Sequence, residues 1–400
     1  MIAGYRFSGV LSVLFFMGSF TIKAKDNWSG LTLADSLGSI QSINYGYIHS
    51  SSVANDFTNK FIWGGFIDED IKNNSLALHK APSNFLEAQM QAGLQYQSAI
   101  KNNWFWGVNY NYVQNNYAKY PTDLFELVFK GNENLPSAEL SETRFFNLGM
   151  QQGGFIVGKQ LQFASSKLQL KINPFVNIAQ QYNFLELDGA LITSDFGDEI
   201  TYNGSFKQQR LLKNGMGAGL NFSVFYQKNK NLWRLDVTNL GFVNLETEQI
   251  QNKNNSTNFS GVTIEDIFAF ENAQPNLDNI TDNLIETKIV NESVLTPFSL
   301  MLSNDYLITQ NHSLRLSARY FNAPNFVPQL SVGYNYQKNI FQGGVNANFG
   351  GYTNFMAGAY VGAKFNSFTL GIGSNNLLAW IVPQNTSSQA VFVQVKYMFK

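Results

Sequence analysis

The chain has 400 residues and a formal net charge of −1, with 44% apolar, 15% aromatic and 14% charged side chains. A charged fraction well below the quarter typical of soluble domains, combined with this many aromatic residues, is unlike a cytosolic helical enzyme and unlike a disordered chain. Because the sequence contains no cysteine, disulfide scaffolds, thiolate metal sites and cysteine nucleophiles are excluded, and the near-neutral charge does not indicate nucleic-acid binding.

Residues 1–24 have the layout of a secretory signal peptide. Arg6 precedes an apolar run from Phe7 to Ile22, and Ala24 occupies the last position before a plausible cleavage site. A membrane-anchor helix is the alternative, but the run contains serine and threonine and is shorter than the roughly 20 apolar residues that such a helix needs. We therefore expect export, and a single barrel domain spanning residues 25–400.

Apolar and polar residues alternate along most of the chain from residue 86 onward. The clearest runs are 86–97, 104–112, 168–178 and 216–226. Alternation predicts β-strands with one apolar face, which could face either a soluble core or lipid. The runs exceed the roughly 5–6 residues of soluble strands and fit the roughly 9–11 residues of tilted membrane strands. Aromatic residues at the strand ends also favour an outer-membrane barrel over a secreted sandwich or β-helix.

The connections alternate between short and long, as in bacterial barrels with periplasmic turns and outer loops. Fourteen antiparallel strands are predicted, near residues 42–50, 86–97, 104–115, 143–163, 168–182, 208–227, 232–245, 296–308, 313–321, 328–337, 341–350, 355–365, 368–378 and 389–399. The long loops are predicted at about 51–85, 116–142, 183–207 and 248–295. Twelve or sixteen strands remain alternatives, and residues 57–66 are assigned to the first loop.

The last strand ends on an aromatic residue. Val391, Val393, Val395, Tyr397 and Phe399 share one face. This pattern resembles the recognition signal of the barrel-assembly machinery, except that a lysine follows the terminal aromatic. The partners expected are therefore outer-membrane lipid and that machinery during insertion.

The loop at 248–295 is the exception to the β pattern. Residues 264–271 and 277–289 have apolar residues at a spacing of three to four, which predicts two short amphipathic helices. The first helix carries an apolar stripe that either docks a partner or folds over the barrel mouth. The stripe consists of Ile264, Ile267, Phe268 and Phe270.

No catalytic residue, cofactor site or metal site is predicted, and the protein is not expected to be an enzyme. His49, His79 and His312 are far apart in sequence, and no serine lies in a nucleophile motif. The acidic groups at 68–70 and 195–199 could supply oxygen ligands to calcium, but neither has EF-hand spacing.

The polar face of the strands predicts an amide-rich, weakly basic barrel interior. Its candidate residues are Gln91, Asn109, Asn111, Lys171, Asn173, Asn221, Arg315, Arg319 and Lys364. A barrel of fourteen strands is intermediate in bore between filled eight-stranded barrels and water-filled porins. It therefore holds a plug, binds a ligand or leaves a narrow passage.

Three stretches together resemble a Bacteroidota family of outer-membrane barrels of unknown function. They are NFSVFYQKNKNLWRLDVTNLGFVNLE (221–246), VLTPFSLMLSNDYLITQNHSLRLSARY (294–320) and FTLGIGSNNLLAWIVPQNTSSQAVFVQVKYMF (368–399). The resemblance covers roughly 210–399. More distantly, the pattern is similar to long-chain fatty-acid transporters and to barrels of the type nine secretion system, which implies fourteen strands and no transferable functional residue.

Two functions follow as hypotheses. The first is an outer-membrane channel that binds or transports a small, possibly amphipathic molecule. The second is a non-transporting accessory subunit of an outer-membrane assembly or secretion complex, which would dock through its loops.

Overall fold

The computed structural model describes residues 38–79, 82–131, 135–193, 199–252, 257–260, 285–323 and 325–399. The predicted signal peptide and the stripe Ile264, Ile267, Phe268 and Phe270 lie outside these residues, and both stay predictions.

The strands, in chain order, are β1 (Ser39–Ser50), β2 (Asn84–Gln97), β3 (Trp104–Tyr120), β4 (Ser137–Glu139), β5 (Thr143–Gln162), β6 (Ser166–Thr193), β7 (Glu199–Lys228), β8 (Asn231–Asn252), β9 (Thr257–Ser260), β10 (Ile285–Leu295), β11 (Ser299–Leu307), β12 (His312–Phe321), β13 (Val327–Lys338), β14 (Phe341–Gly351), β15 (Thr353–Phe365), β16 (Phe368–Ser374) and β17 (Ser388–Met398). The helices are α1 (Asn55–Trp63), α2 (Glu69–Leu78), α3 (Thr122–Lys130) and α4 (Leu378–Ile381), followed by a 3-10 turn at Pro383–Asn385.

The strands form one closed antiparallel barrel. The first strand, β1, pairs with β2 on one side and with β17 on the other, which closes the sheet. β10 and β11 both pair with β8 and act as one interrupted strand of the wall. The short β4 and β9 pair with the loop-end parts of β6 and β7. The barrel thus has fourteen strands, and the fold prediction is confirmed.

Strand alternation separates the two faces of the barrel wall. On β3, the odd-numbered residues Asn109 and Asn111 face the bore, while Val108 and Tyr110 are exposed on the outer surface. The same holds on β12, where Arg315 and its odd-numbered neighbours face inward. Because side chains alternate along a strand, the apolar half of each predicted pattern covers the outside.

Asparagine forms several of the tight turns at the end of the barrel where consecutive strands are joined by two to six residues. Asn102, Asn229, Asn339 and Asn366 have positive φ angles of 53°, 53°, 53° and 31°. Asparagine tolerates this left-handed backbone better than most residues, and two-residue hairpins require it. The short connections were predicted from the sequence. We call this end of the barrel the turn end and the opposite end the loop end.

Four strands extend far beyond the length of their neighbours. β5, β6, β7 and β8 contain 20, 28, 30 and 22 residues. The predicted loop at 183–207 is therefore wrong, because residues 183–193 pair with residues 200–210. A β-bulge between Ala179 and Asn183 shifts the register, which breaks the alternation where the sequence prediction ended the strand.

Helices occupy two of the predicted loops. The first loop contains α1 and α2, so residues 57–66 are not a barrel strand, as predicted, and the second contains α3. Phe57 and Phe125 from these helices pack with ring centroids 5.3 Å apart, in a cluster that includes Tyr120 and Leu187 at the loop end of the wall. None of the helices in the described ranges is long and apolar enough to cross a membrane.

The loop at 248–295 is shorter than predicted. β8 continues to Asn252, and β10 begins at Ile285. Residues 285–289, assigned to the end of the second helix, are therefore strand residues that pair with β8. Residues 264–271 lie outside the described part of the chain.

Candidate functional site: a cavity inside the barrel

The bore contains a cavity of about 240 Å³ in the middle of the barrel. Its walls come from strands all around the barrel, from β1 to β17. Among the residues predicted to face the bore, those that line the cavity are Gln91, Asn109, Asn111, Asn173, Asn221, Arg315 and Arg319.

The two predicted lysines do not line the cavity. Lys171 is buried below it, and its Nζ donates to Gln95 Oε1 at 3.4 Å. Lys364 is half-buried near the turn end, where its backbone N–H donates to the carbonyl of Ile340 at 2.6 Å. Alternation assigned both lysines to the inward face of their strands, but it does not specify their position along the bore relative to the cavity.

A layer of side chains bounds the cavity towards the loop end. We call it the upper layer, and it consists of Tyr45, Tyr47, Glu87, Arg319 and Phe321. The Tyr45 hydroxyl donates to Gln91 Oε1 at 2.9 Å, and the Tyr47 hydroxyl donates to Glu87 Oε1 at 2.8 Å. The guanidinium of Arg319 lies 6.0 Å from the ring centroid of Tyr47.

The contact between Arg319 and Tyr47 crosses the bore. Arg319 lies on β12 and Tyr47 on β1, and five strands separate them along the sheet. The backbones of β12 and β1 are not adjacent, and the long arginine side chain spans the bore between them. The upper layer therefore narrows the bore by side chains rather than by backbone.

A second layer bounds the cavity towards the turn end. We call it the lower layer, and it consists of Gln95, Lys171, Phe225, Arg234 and Asp236. The Arg234 guanidinium lies over the Phe225 ring at 4.9 Å and pairs with Asp236, whose carboxylate also lines the cavity. This layer is charged but almost inaccessible to solvent.

The sequence prediction missed Tyr45, Tyr47, Glu87 and Asp236. Glu87 and Asp236 do alternate with apolar residues, so their inward orientation could have been read from the sequence. Tyr45 and Tyr47 share the inward face of β1 with Gln41 and Ile43. Because this face mixes apolar, aromatic and polar residues, β1 has no clear alternation that would show which of its side chains face the bore.

The histidines do not share a site. His49 is buried in β1 beside Tyr47, with ring centroids 4.7 Å apart. His79 follows α2 and contacts Tyr120, whereas His312 Nδ1 lies 2.5 Å from the Tyr334 hydroxyl near the turn end.

The first acidic group is part of a helix terminus. Asp68 caps α2 by accepting a hydrogen bond from Ile71 N at 2.9 Å, and Glu69 pairs with Lys72. Asp195 and Asp198 lie outside the described residues. In the part of the chain that the structure describes, no group of three or more histidine, aspartate or glutamate side chains could hold a metal ion.

No protein family matches the sequence. No curated protein matches it either. The resemblance to a Bacteroidota family over residues 210–399 therefore stays a prediction.

Several solved structures are similar to the chain over most of its length. The toluene transporter TbuX of Ralstonia pickettii has 7% identity and a TM-score of 0.48 over 92% of this chain and 90% of that one. A FadL homologue of Pseudomonas aeruginosa has 11% identity and a TM-score of 0.44 over 92% and 91% of the two chains. The toluene transporter TodX of Pseudomonas putida has 8% identity and a TM-score of 0.41 over 91% and 89%. Likeness at this distance does not identify a function.

Proposed function

We propose that this protein is an outer-membrane barrel that binds a small molecule in its bore and passes it across the membrane. The observation that carries the proposal is the cavity of about 240 Å³, which is bounded on both sides by side chains. Side chains change rotamer far more readily than paired strands separate, because no ladder hydrogen bond has to break. A ligand can therefore enter and leave the cavity without opening the wall.

The outer surface supports a membrane location. Exposed apolar residues follow one another around the wall, for example Trp106, Val176, Leu316 and Val361 on four different strands. Soluble proteins rarely expose an apolar surface of this extent, whereas a barrel in lipid requires it. We expect the protein to fractionate with the outer membrane on a density gradient and to need detergent for extraction.

Transport is tested by reconstitution into planar bilayers. The wild-type protein is expected to give discrete current steps in potassium chloride. Tyr47→Ala removes an aromatic ring from the upper layer, and we expect a larger conductance because the bore is widened at its crossing contact. Tyr110→Ala removes the same side chain from the outer surface, where 51% of it is exposed, and serves as the matched control.

The outcome separates a channel from a filled barrel. A conductance that rises in Tyr47→Ala and stays at the wild-type value in Tyr110→Ala supports the proposal. If neither the wild-type protein nor Tyr47→Ala carries current or admits a neutral sugar in proteoliposome swelling, the transport function is overturned.

A further inference from the structure

Arg319 differs from the other charged residues that line the cavity. Arg315 is held by Asp305, with Nη2 and Oδ1 2.5 Å apart, and Asp236 is held by Arg234. Among the described residues, no carboxylate lies within 4.0 Å of the Arg319 guanidinium. Arg319 is therefore the cavity-lining charge that the described residues do not neutralise by direct contact.

Two aromatic rings support the Arg319 guanidinium. Its carbon lies 6.0 Å from the centroid of Tyr47 and 5.9 Å from the centroid of Phe321. Cations are attracted to aromatic faces, and this contact leaves the N–H groups at the edge of the guanidinium plane available. That edge is a bidentate donor that matches the two oxygens of a carboxylate.

The acidic residue of the upper layer is Glu87. Its Oε1 accepts the hydrogen bond from the Tyr47 hydroxyl, and the side chain is buried outside the cavity lining. Glu87 lies beyond ion-pair distance of Arg319, so it moderates the positive charge of Arg319 without occupying its donors.

Towards the turn end, the buried charges are more basic than acidic in the described structure. The basic residues are Lys171, Arg234, Lys396 and Arg315, and the acidic ones are Asp236 and Asp305. A positive potential in a narrow, low-dielectric bore attracts anions and repels cations.

The rest of the lining is suited to a polar molecule. Amide side chains from several strands line the cavity, and each amide offers both a donor and an acceptor. They include Asn109 and Asn111 on β3, Asn173 on β6 and Asn221 on β7. These amide groups can bind hydroxyl and carboxylate oxygens, while apolar residues such as Ile43, Met301 and Val345 also line the cavity and can contact the carbon skeleton of a ligand.

We propose that the cavity binds a small polar organic anion whose carboxylate is held by Arg319. This inference deepens the proposed transport function and rests on it only for passage across the membrane. Binding itself requires the cavity and the Arg319 guanidinium alone.

Binding is tested with two sugars of nearly the same shape, glucuronate and glucose. Isothermal titration calorimetry on the detergent-solubilised full-length protein is expected to detect glucuronate binding and to give an affinity for glucose at least about tenfold lower. The loss of one charge-assisted hydrogen bond implies a difference in affinity of about this magnitude. Arg319→Gln is expected to weaken glucuronate binding by about tenfold or more and to leave glucose unchanged. Arg319→Lys keeps the charge and retains part of the preference.

Passage is tested by the reversal potential across a planar bilayer in a potassium chloride gradient. The wild-type protein is expected to favour chloride over potassium, and Arg319→Gln to reduce that preference. Lys338→Gln, at the turn end of β13, alters a charge outside the cavity lining and is expected to keep the wild-type reversal potential.

The two failures are distinguishable. If glucuronate binds no better than glucose, or equally well to Arg319→Gln, the anion site is overturned even where current flows. If glucuronate binds through Arg319 and no variant carries current, the anion site stands and the transport function falls.

Discussion

Arg234 and Asp236 form an ion pair inside the barrel, with Nε and Oδ2 2.5 Å apart and side chains that are 1% and 2% exposed. The two residues lie on one strand, two positions apart, and both point into the lower layer. Each charge lost most of its hydration when the barrel closed. The pair therefore depends on both partners, because a single charge left in this position would be uncompensated.

Asp236→Ala is expected to lower the free energy of unfolding by about 3–5 kcal/mol, since Arg234 stays buried without its carboxylate. Urea titration of the protein in lipid vesicles measures this change. Glu246→Ala breaks the pair between Lys213 Nζ and Glu246 Oε2, in which Lys213 is 67% exposed, and is expected to cost at most about 1 kcal/mol. Equal costs for the two variants would show that Arg234 does not need Asp236.

Gly158 on β5 provides the space that the ring of Phe105 fills inside the barrel. A Cβ atom at position 158 would lie 1.9 Å from Phe105 Cζ, so the buried ring would have to move. We expect Gly158→Ala to cost about 1–3 kcal/mol, as overpacking of a filled interior does.

Gly153 is the matched control for this substitution. It lies on the same strand, and nothing lies within 4 Å of a Cβ placed there. Gly153→Ala is therefore expected to leave the unfolding midpoint within experimental error or to raise it slightly. A loss at Gly153 as large as at Gly158 would mean that strand propensity, and not Phe105, determines the effect.

The barrel could be predicted from the sequence because a wall with an apolar outer face and a polar inner face imposes alternation on its strands. β12 to β17 show this most clearly, as their apolar residues occupy every second position. The short turns were also visible, since asparagine at positions such as 102 and 229 favours a left-handed backbone. The strand extensions at 183–193 and 199–207 were missed because the bulge after Ala179 shifts the alternation by one residue.

The cavity was less predictable than the wall. Alternation assigns Arg315 and Arg319 to the same face, and both line the cavity. It does not show that Asp305 neutralises Arg315, or that Arg319 reaches Tyr47 on a strand 272 positions away in the chain. Contacts across the bore depend on barrel closure and side-chain length, which no local pattern records.

His79 links α2 to the loop end of β3. Its Nδ1 lies 2.7 Å from the carbonyl oxygen of Ser75, which can only accept, so Nδ1 carries the proton and Nε2 accepts from the Tyr120 hydroxyl. Burial lowers the pKa of His79 below its ordinary value, and the hydrogen bond to Ser75 offsets part of this effect. The neutral imidazole is therefore the form that the folded helix favours.

Because the unfolded segment binds a proton more readily, α2 is expected to be fully stabilised above about pH 6.5 and to lose stability as the pH falls below that value. The loss ends below the lowered pKa of the folded state. Hydrogen exchange of the α2 amides at pH 7.5 and pH 5, corrected for intrinsic rates, measures the change. In His79→Gln the difference between the two pH values is expected to disappear, and its persistence would assign the effect to other groups.

Val361 on β15 tests whether the apolar outer surface faces lipid. Its side chain is 64% exposed, and it lies between Gly343 of β14 and Ile372 of β16 in the wall. Val361→Arg is expected to cost about 2–4 kcal/mol, the range for arginine on the lipid-facing side near the middle of a bilayer. Urea titration in vesicles and the heat-induced mobility shift in gels both report the change.

Ile192→Arg is the comparison for this effect, because Ile192 is 43% exposed on the extension of β6, where the short β4 pairs with it. An arginine at this height meets water, so the folded protein is expected to keep its stability within about 0.5 kcal/mol. A barrel whose outer surface faced water would treat the two substitutions alike. A loss of stability confined to Val361→Arg therefore identifies the lipid-facing band. Equal losses in the two variants would contradict the interpretation that the alternating strands face lipid.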